Sequence, residues 1–338
     1  MSSYYLGIDL HKRRSYAVLM DHQGEIIEEC GLPNEQVVDF LRQKVPADTT
    51  GILEATWNWQ FMYDWMNQHC QEVKLAHPQK VKLIAEATVK TDKIDAHTLA
   101  HLARTGFLPT AYAAPEAIRQ LRQIVRHRLS LIADRTQHKN RIHAAIIRYN
   151  LISPVSDLFG CKGREFLEDI LENDLPKPSQ QIVNDNLAMI DFINERLLVV
   201  DQMLKEIADQ DKNVALLKTI PGVGLITAIT IRAELGEIER FRSARQVARW
   251  AGLTPKVHAS DEVVQHGSIS RQGSPYLRAV MVGAALRAPR FSPALRRFYQ
   301  RIARRRGNGM ARVALARKML IIAFTMLRNG QPYREADQ

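Results

Sequence analysis

Hydrophobic and polar residues alternate along the first hundred positions in a way that predicts a sheet with helices packed on it. Three short apolar runs, over 4–9, 15–20 and 25–30, predict strands. The link Asp21-His22-Gln23-Gly24 between the second and third runs predicts a hairpin turn. Further along, the pattern predicts helices over 33–44, 57–69, 78–87 and 92–104, and strands over 50–54 and 72–76.

The predicted order, βββαβαβα, is typical of a ribonuclease H-like domain, in which an antiparallel hairpin set precedes parallel crossovers. After residue 112 the pattern becomes helical. One long helix or two over 115–150, a connector over 154–178 and a helix over 180–210 predict an antiparallel helical arm or coiled coil. We therefore predict an α/β domain over 1–112, an all-α arm over 113–212 and a mainly helical C-terminal domain over 213–338.

Four acids of the first predicted domain occupy positions from which they could share metal ions. Asp9 and Glu54 each end an apolar run, and Asp92 and Asp95 project from one face of a helix. Carboxylate oxygens are the donors that Mg²⁺ prefers, and a pair of such ions assists phosphodiester cleavage. When each residue is considered alone, Asp92 is explained as a helix N-cap and Glu54 as an ordinary exposed acid. Together, the four predict a site for two Mg²⁺ ions and chemistry on nucleic acid.

The charge balance favours a polyanionic partner. Lys and Arg number 47 against 36 Asp and Glu, and two segments concentrate the excess. Residues 117–150 hold eight basic side chains and one acid, and residues 287–318 hold eleven and none. A charge run is usually a solvated face, but two uncompensated runs predict two polyanion contacts. The candidate nucleic-acid ligands are Arg119, Arg122, Arg126, Arg128, Lys139, Arg141, Arg304, Arg305, Arg306, Arg317 and Lys318.

Other classes fit the composition poorly. No apolar run approaches the roughly 20 residues of a membrane-spanning helix. The first residues lack the charged and apolar regions of a signal peptide, and the three cysteines lack metal-ligand spacing. We expect no membrane partner and no zinc site. The expected location is a bacterial cytoplasm, at the nucleoid when the protein is active.

Two glycine-bearing segments in the last third are candidate contact or catalytic regions. Residues 217–224 predict a helix-hairpin-helix, in which Gly222 and Gly224 allow a tight turn and free N–H groups bind a phosphate; a plain helix–helix turn is the alternative. Residues 251–274 place several hydroxyls near Lys256 and Arg271. A serine nucleophile needs activation, and cations hold the phosphate that it attacks. The residues alone do not choose among Ser260, Ser268, Ser270 and Ser274, and a flexible surface loop is the simpler interpretation.

Six short motifs occur in order along nearly the whole chain, each modest alone but specific in combination. The motifs are Gly7-Ile8-Asp9, Leu53-Glu54-Ala55-Thr56, Thr91-Asp92-Lys93-Ile94-Asp95-Ala96, Ile220-Pro221-Gly222-Val223-Gly224, Ala251-Gly252-Leu253-Thr254-Pro255 and Ala316-Arg317-Lys318-Met319-Leu320. With these motifs the chain resembles the bridge-RNA-guided transposases of bacterial insertion sequences (the family numbered one-ten). The pilin-gene inverting recombinases are similar.

The resemblance implies a RuvC-like N-terminal domain of ribonuclease H type, a coiled-coil arm and a C-terminal transposase domain. The family's acid tetrad falls on Asp9, Glu54, Asp92 and Asp95. Its serine nucleophile, matched without gaps from Gly252, falls on Ser260, with Ser268 and Ser270 as alternatives. The family commonly has glycine after this serine, where the present chain has Asp261.

The implied activity is recombination of target and donor double-stranded DNA through a phosphoserine link, guided by a structured RNA from the same element. The implied assembly is a tetramer in which one subunit's acids work with another's serine. Three alternatives stay open at this level. They are a RuvC-type metal-dependent endonuclease, a site-specific DNA invertase without guide RNA, and a non-catalytic nucleic-acid-binding protein with a decayed acid site.

Overall fold

The computed structural model describes residues 3–85, 91–260 and 263–335, with 257–260 and 263–266 described by their backbone alone. Two compact units divide the chain, over 1–113 and 114–338. Unit 1 is mixed α/β and unit 2 is mostly helical. Within the described ranges, none of the helices combines the length and apolar character needed to cross a bilayer.

Unit 1 is built on a six-stranded sheet with helices packed on it. Its elements are β1 (Tyr4–Leu10), β2 (Arg14–Asp21), β3 (Ile26–Pro33), α1 (Val37–Lys44), β4 (Thr49–Glu54), α2 (Trp59–Asn67), β5 (Glu72–Ala76), α3 (Pro78–Ile84), α4 (Asp92–Arg104) and β6 (Thr110–Ala111). The order of the strands in the sheet is β3-β2-β1-β4-β5-β6. Strand β1 pairs antiparallel with β2 and parallel with β4, and β4 pairs parallel with β5. This is the arrangement predicted from the sequence for the main strands.

Some predicted bounds differ from the structure. The predicted helix over 33–44 begins later in the structure, because Pro33 ends β3 and residues 34–36 form a short 3-10 turn before α1. The two-residue strand β6 has no counterpart in the prediction. The predicted helix over 78–87 is seen as α3, and its residues 86 and 87 lie outside the described part of the chain.

Helix α4 lies directly on the central strand β1 because Gly7 has no side chain. A Cβ built on Gly7 would lie 2.2 Å from the carbonyl oxygen of Ala96 and 3.0 Å from the amide nitrogen of Ala100. Ala96 and Ala100 are fully buried in this contact. The close approach fixes the position of the helix that carries Asp92 and Asp95 relative to the strand that carries Asp9.

Unit 2 consists mainly of helices. Its elements are α5 (Glu116–Ile147), α6 (Cys161–Asn173), α7 (Lys177–Gln210), α8 (Lys212–Leu217), α9 (Leu225–Leu235), α10 (Ala244–Trp250), β7 (Pro255–Ser260), β8 (Val263–Ile269), α11 (Pro275–Phe291) and α12 (Pro293–Asn329). The long helices α5 and α7 pack against each other. The helical pattern over 115–150 is therefore one helix, α5, and the connector contains the helix α6.

One core joins α5, α7, α8, α9, α11 and α12, through residues such as Val125, Leu204, Val214, Ile229 and Met281. The division of this part at residue 212 into an arm and a C-terminal domain stays a prediction. The interpretation of 251–274 as a loop between helices is wrong, because β7 and β8 pair there as an antiparallel hairpin.

Candidate active site

The two strand-borne acids lie side by side at one edge of the sheet. Strands β1 and β4 run parallel with Ile8 opposite Leu53, so the next residues, Asp9 and Glu54, are neighbours at the carboxyl ends of both strands. Asp9 is buried, with 8% of its surface exposed, and Glu54 is half-buried. The parallel pairing thus brings together two carboxylates that are 45 positions apart.

The other two acids come from the first turn of α4. The hydroxyl of Thr91 accepts a hydrogen bond from the Ile94 amide at 3.2 Å, which makes Thr91 the N-cap. Asp92 is the first helical residue, so its interpretation as an N-cap is wrong. Asp92 is exposed and Asp95 is half-buried.

Three of the four acids line one cavity of about 500 Å³ in unit 1: Asp9, Glu54 and Asp95. Helix α3 supplies much of the facing wall. The remaining lining residues are Pro78, Gln79, Val81, Lys82, Ala85, Thr98 and Leu99. The sequence patterns gave no reason to single out Gln79 or Lys82, an amide-bearing and a basic residue of this wall.

Asp92 is connected to Asp9 by a residue that the sequence patterns did not reveal. The Nε2 atom of His11 lies 3.2 Å from an oxygen of Asp9 and 3.0 Å from an oxygen of Asp92. Partial burial acts to lower the pKa of His11, but hydrogen bonding and negative charge from Asp92 and Asp9 outweigh it, and the net pKa is raised. The signal was the two-residue spacing from Asp9, which places both side chains on one side of an extended chain.

The backbone of His11 is held on both sides. Its N–H donates to the carbonyl of Arg14 at 3.0 Å. Its carbonyl accepts from the side-chain amides of Asn34 at 3.0 Å and Asn58 at 3.3 Å. These bonds fix the main chain just beyond β1, so the imidazole is positioned by the surrounding loops.

The donor set fits a divalent metal. Atoms of Asp9, His11 and Asp92 lie within 4.8 Å of one another, and the adjoining cavity adds the carboxylates of Glu54 and Asp95. Carboxylate oxygens suit Mg²⁺ and Mn²⁺, and imidazole nitrogen suits transition ions. All five side chains belong to unit 1.

The candidate serines all lie in unit 2, around the hairpin. Ser260 ends β7, where its backbone is paired with Val263 of β8. Ser268 lies in β8, and Ser270 donates its N–H to Thr254 at 2.8 Å. Ser274 caps α11, because its hydroxyl accepts from the Leu277 amide at 3.1 Å. A capping role therefore accounts for Ser274.

Most of the basic side chains on α5 that are candidate nucleic-acid ligands form contacts with other residues of unit 2. Arg126 binds the fully buried Glu234 through two hydrogen bonds of 2.8 and 3.0 Å. Arg122 donates to the carbonyls of Ala233 and Glu234. The other internal contacts are those of Arg119 with the Ala114 carbonyl, Arg128 with Asp201, and the Lys139 ammonium with the Phe159 ring. Arg141 is exposed. Nucleic-acid binding by these residues stays a prediction.

The second basic segment presents its charges differently. Arg304, Arg305 and Arg306 are exposed on α12, immediately before a break at Gly307 with φ 80° and ψ 164°. Arg317 and Lys318 are half-buried and line an apolar groove of about 850 Å³ between β8 and α12.

The remaining candidate nucleic-acid contacts, on the β7–β8 strand pair and in the turn before α9, differ in exposure and packing. Lys256 on β7 and Arg271 after β8 are exposed. Gly222, with φ +81°, lies against α11, where an added Cβ would come within 2.7 Å of the Ala288 amide nitrogen. Gly224 is exposed and precedes the first turn of α9. Gly222 is thus required by packing, whereas no atom lies within 4 Å of a Cβ built on Gly224.

Comparisons with known proteins agree on one family. Residues 6–150 match the DEDD transposase domain of IS110 type, and residues 214–300 match the transposase domain of the IS116/IS110/IS902 family. The chain is 25% identical to a probable family 20 transposase of Pseudomonas aeruginosa over 97% of its own length and 98% of that protein's. It is 24% identical to the transposase for insertion sequence element IS1111A of Coxiella burnetii, over 97% and 91%.

A further relative is the pilin gene-inverting protein of Moraxella bovis, at 23% identity over 98% of both chains. The two matched domains follow one another along the chain and together span more than half of it. The protein therefore belongs to the IS110/IS116 family of DEDD-type insertion-sequence transposases.

Proposed function

We propose that this chain is an RNA-guided DNA recombinase of a bacterial insertion sequence, which cuts and rejoins DNA through a phosphoserine intermediate at Ser260. In this proposal unit 1 is a RuvC-like domain whose acids Asp9, Glu54, Asp92 and Asp95 hold two Mg²⁺ ions. Membership in a transposase family supports DNA recombination as the reaction class.

The observation that carries the proposal is the gathering of the acids at the carboxyl ends of β1 and β4. A cavity of about 500 Å³ lined by Asp9, Glu54 and Asp95 is large enough for a phosphodiester and its neighbouring sugar. When bound, a pair of divalent ions would stabilise negative charge on the attacking and leaving oxygens. The carboxylates hold and orient that pair, and Lys82 on the cavity wall supplies a further positive charge near the phosphate.

In the proposed reaction the serine Oγ attacks phosphorus and forms a phosphoserine ester. The bond between phosphorus and one deoxyribose oxygen breaks, and that oxygen leaves as a hydroxyl group. Attack by a hydroxyl of the exchanged strand reverses these steps and releases the serine. Because the ester conserves the phosphodiester energy, strands are rejoined without a nucleotide cofactor.

Charge on unit 2 supports contacts with two kinds of nucleic acid. One is the target and donor double-stranded DNA, and the other is a structured guide RNA from the same element. The exposed candidates are arginines 304–306, Arg141, Lys256, Arg271 and the turn residue Gly224 before α9. Backbone-phosphate contacts of this kind carry little sequence information, which suits an enzyme whose target is chosen by base pairing.

The proposal is tested by recombination between donor and target plasmids in the presence of RNA transcribed from the element's noncoding flank. Wild-type protein is expected to recombine only with Mg²⁺ and that RNA. Asp9→Asn and Ser260→Ala are each expected to lower recombination by at least 100-fold, whereas the matched Ser268→Ala control retains it. Full recombination by Ser260→Ala would refute the serine assignment.

Two alternatives are separated by the same substitutions. A RuvC-type endonuclease uses water, so Ser260→Ala would still cut DNA while Asp9→Asn would not. The likeness to a pilin gene-inverting protein favours an invertase without guide RNA as the other candidate. In that case inversion would proceed at the wild-type rate after ribonuclease treatment.

Assembly of the site between subunits of a tetramer has its own test. Mixing Asp9→Asn with Ser260→Ala protein is expected to restore cleavage, because one subunit's intact acids meet another's intact serine. If each subunit holds a complete site, the mixture stays inactive.

A further inference from the structure

We propose that His11 is a metal ligand, which makes the acid site asymmetric: one ion bound by oxygen alone and a second bound through the His11 imidazole together with Asp9 and Asp92. This inference rests on the proposed metal-dependent function. It assigns a donor outside the four acids and predicts which metals this position favours.

Two of the three separations between the donor atoms match those of adjacent ligands to a common ion. Ligands about 2.1 Å from a metal in octahedral geometry lie about 3 Å apart when they are adjacent. His11 Nε2 lies 3.2 Å from Asp9 Oδ2 and 3.0 Å from Asp92 Oδ1, and one atom from each of the three residues lies within 4.8 Å of the others. A single nitrogen directed between two carboxylates is therefore already at ligand spacing.

The second support is the way the chain holds His11. Hydrogen bonds to Arg14, Asn34 and Asn58 fix its main-chain N–H and carbonyl groups, and the two asparagines come from different loops. Asn34 and Asn58 are themselves oriented by the hydroxyls of Ser15 at 2.7 Å and Thr56 at 3.1 Å. A merely solvated histidine at a strand end needs no such support, whereas metal ligands are commonly fixed by an outer layer of hydrogen bonds.

Asp9 belongs to both groups of donors. It lines the cavity with Glu54 and Asp95, and it faces His11 together with Asp92. A carboxylate that belongs to both donor groups can hold two ions near each other, as a two-ion site needs. The first group contains oxygen only and suits Mg²⁺, and the second contains nitrogen and so favours a transition ion such as Mn²⁺.

The alternative explanation is that His11 only neutralises Asp9 and Asp92 in the metal-free protein. The two explanations predict opposite effects of removing the imidazole. A ligand strengthens Mn²⁺ binding, so His11→Ala weakens it. A neutralising partner competes with the metal, so His11→Ala leaves binding unchanged or strengthens it.

The experiment uses the full-length protein without nucleic acid and Mn²⁺ alone as the probe. Pulsed electron paramagnetic resonance of Mn²⁺-loaded wild-type protein is expected to show coupling to the ¹⁴N of an imidazole. The coupling is lost in His11→Ala and retained in the matched control His97→Ala, whose ring instead pairs with Glu29 at 3.0 Å. Titration is expected to show Mn²⁺ affinity reduced about 10–100-fold in His11→Ala, with a smaller change for Mg²⁺.

Absence of ¹⁴N coupling in the wild-type protein would overturn the inference without any variant having to fold. Unchanged or tighter Mn²⁺ binding by a folded His11→Ala protein would do the same. Asp9→Asn separates the role of His11 from the proposed function. If it abolishes Mn²⁺ binding while His11→Ala does not, only the role of His11 fails; if neither matters, the acid site of the proposed function fails as well.

Discussion

Gly7 sets the distance between the strand of Asp9 and the helix of Asp92 and Asp95, so Gly7→Ala tests how the site is positioned. The added Cβ would lie 2.2 Å from the Ala96 carbonyl oxygen, where a carbon–oxygen contact needs about 3.3 Å. Helix α4 must therefore retreat by about 1 Å, since its backbone cannot rotate away as a flexible side chain could. Overpacking of this kind costs about 1–3 kcal/mol.

For a domain of this size the cost corresponds to roughly 4–15 °C in the unfolding midpoint of unit 1. A displacement of about 1 Å in a catalytic group can lower the rate by 10²-fold. We expect Gly7→Ala to weaken Mn²⁺ binding and to lower recombination more than its loss of stability explains at 25 °C. The assays are differential scanning calorimetry, Mn²⁺ titration and plasmid recombination.

Gly31→Ala is the matched control in the same sheet. A Cβ at Gly31 would make only an ordinary 3.4 Å contact with the Tyr16 ring, so we expect nearly wild-type stability and metal binding. If Gly7→Ala also keeps the wild-type melting temperature, Mn²⁺ affinity and activity, the close approach of α4 to β1 does not position the acids.

Three further predictions concern unit 2. Arg126→Ala leaves the carboxylate of the fully buried Glu234 without its ion pair, so we expect the free energy of unfolding measured by chemical denaturation to fall by roughly 2–3 kcal/mol. Weakened nucleic-acid binding at unchanged stability would contradict this structural role. Replacing arginines 304–306 by alanine should reduce the slope of log affinity against log salt by about 0.9 for each DNA phosphate that the variant no longer neutralises, and an unchanged slope would exclude these arginines as phosphate ligands. Hydrogen bonds from the Ala294 amide and the Ser292 hydroxyl lower the pKa of Glu335. The stabilisation from this contact is therefore complete above the ordinary Glu pKa of 4.5 and is lost as pH falls through the lowered value, where hydrogen exchange at the Ala294 amide should accelerate. Identical exchange in wild-type and Glu335→Gln protein at neutral pH would refute this capping role.

The sequence predicted the main strands of unit 1 because each strand has a clear apolar pattern and each acid lies at a strand or helix end. Parallel pairing of β1 with β4 then follows from chain order, and with it the neighbourhood of Asp9 and Glu54. His11 escaped prediction because its partner Asp92 lies 81 positions away. The two-residue spacing between Asp9 and His11 is visible in the sequence, but the contact of His11 with Asp92 depends on the fold.

The basic segment on α5 illustrates why a charge count is weak evidence for a binding surface. Glu234 and Asp201 lie far from α5 in sequence, and only the packed unit brings them to Arg126 and Arg128. The hairpin of β7 and β8 was missed for a related reason. Its polar, glycine-bearing sequence lacks the alternation of apolar and polar residues that marks a strand. The two strands are defined instead by the backbone pairing of β7 with β8.

The most direct test of the central claim is the isolation of a covalent protein–DNA intermediate. Wild-type protein, guide RNA, Mg²⁺ and a nicked or mismatched substrate that blocks rejoining are combined, denatured and digested, and the peptides are analysed by mass spectrometry. We predict a deoxynucleotide phosphate on the peptide that contains Ser260, absent in Ser260→Ala and in Asp9→Asn. DNA cut to completion with no nucleotide on any peptide would identify water as the nucleophile and contradict the account.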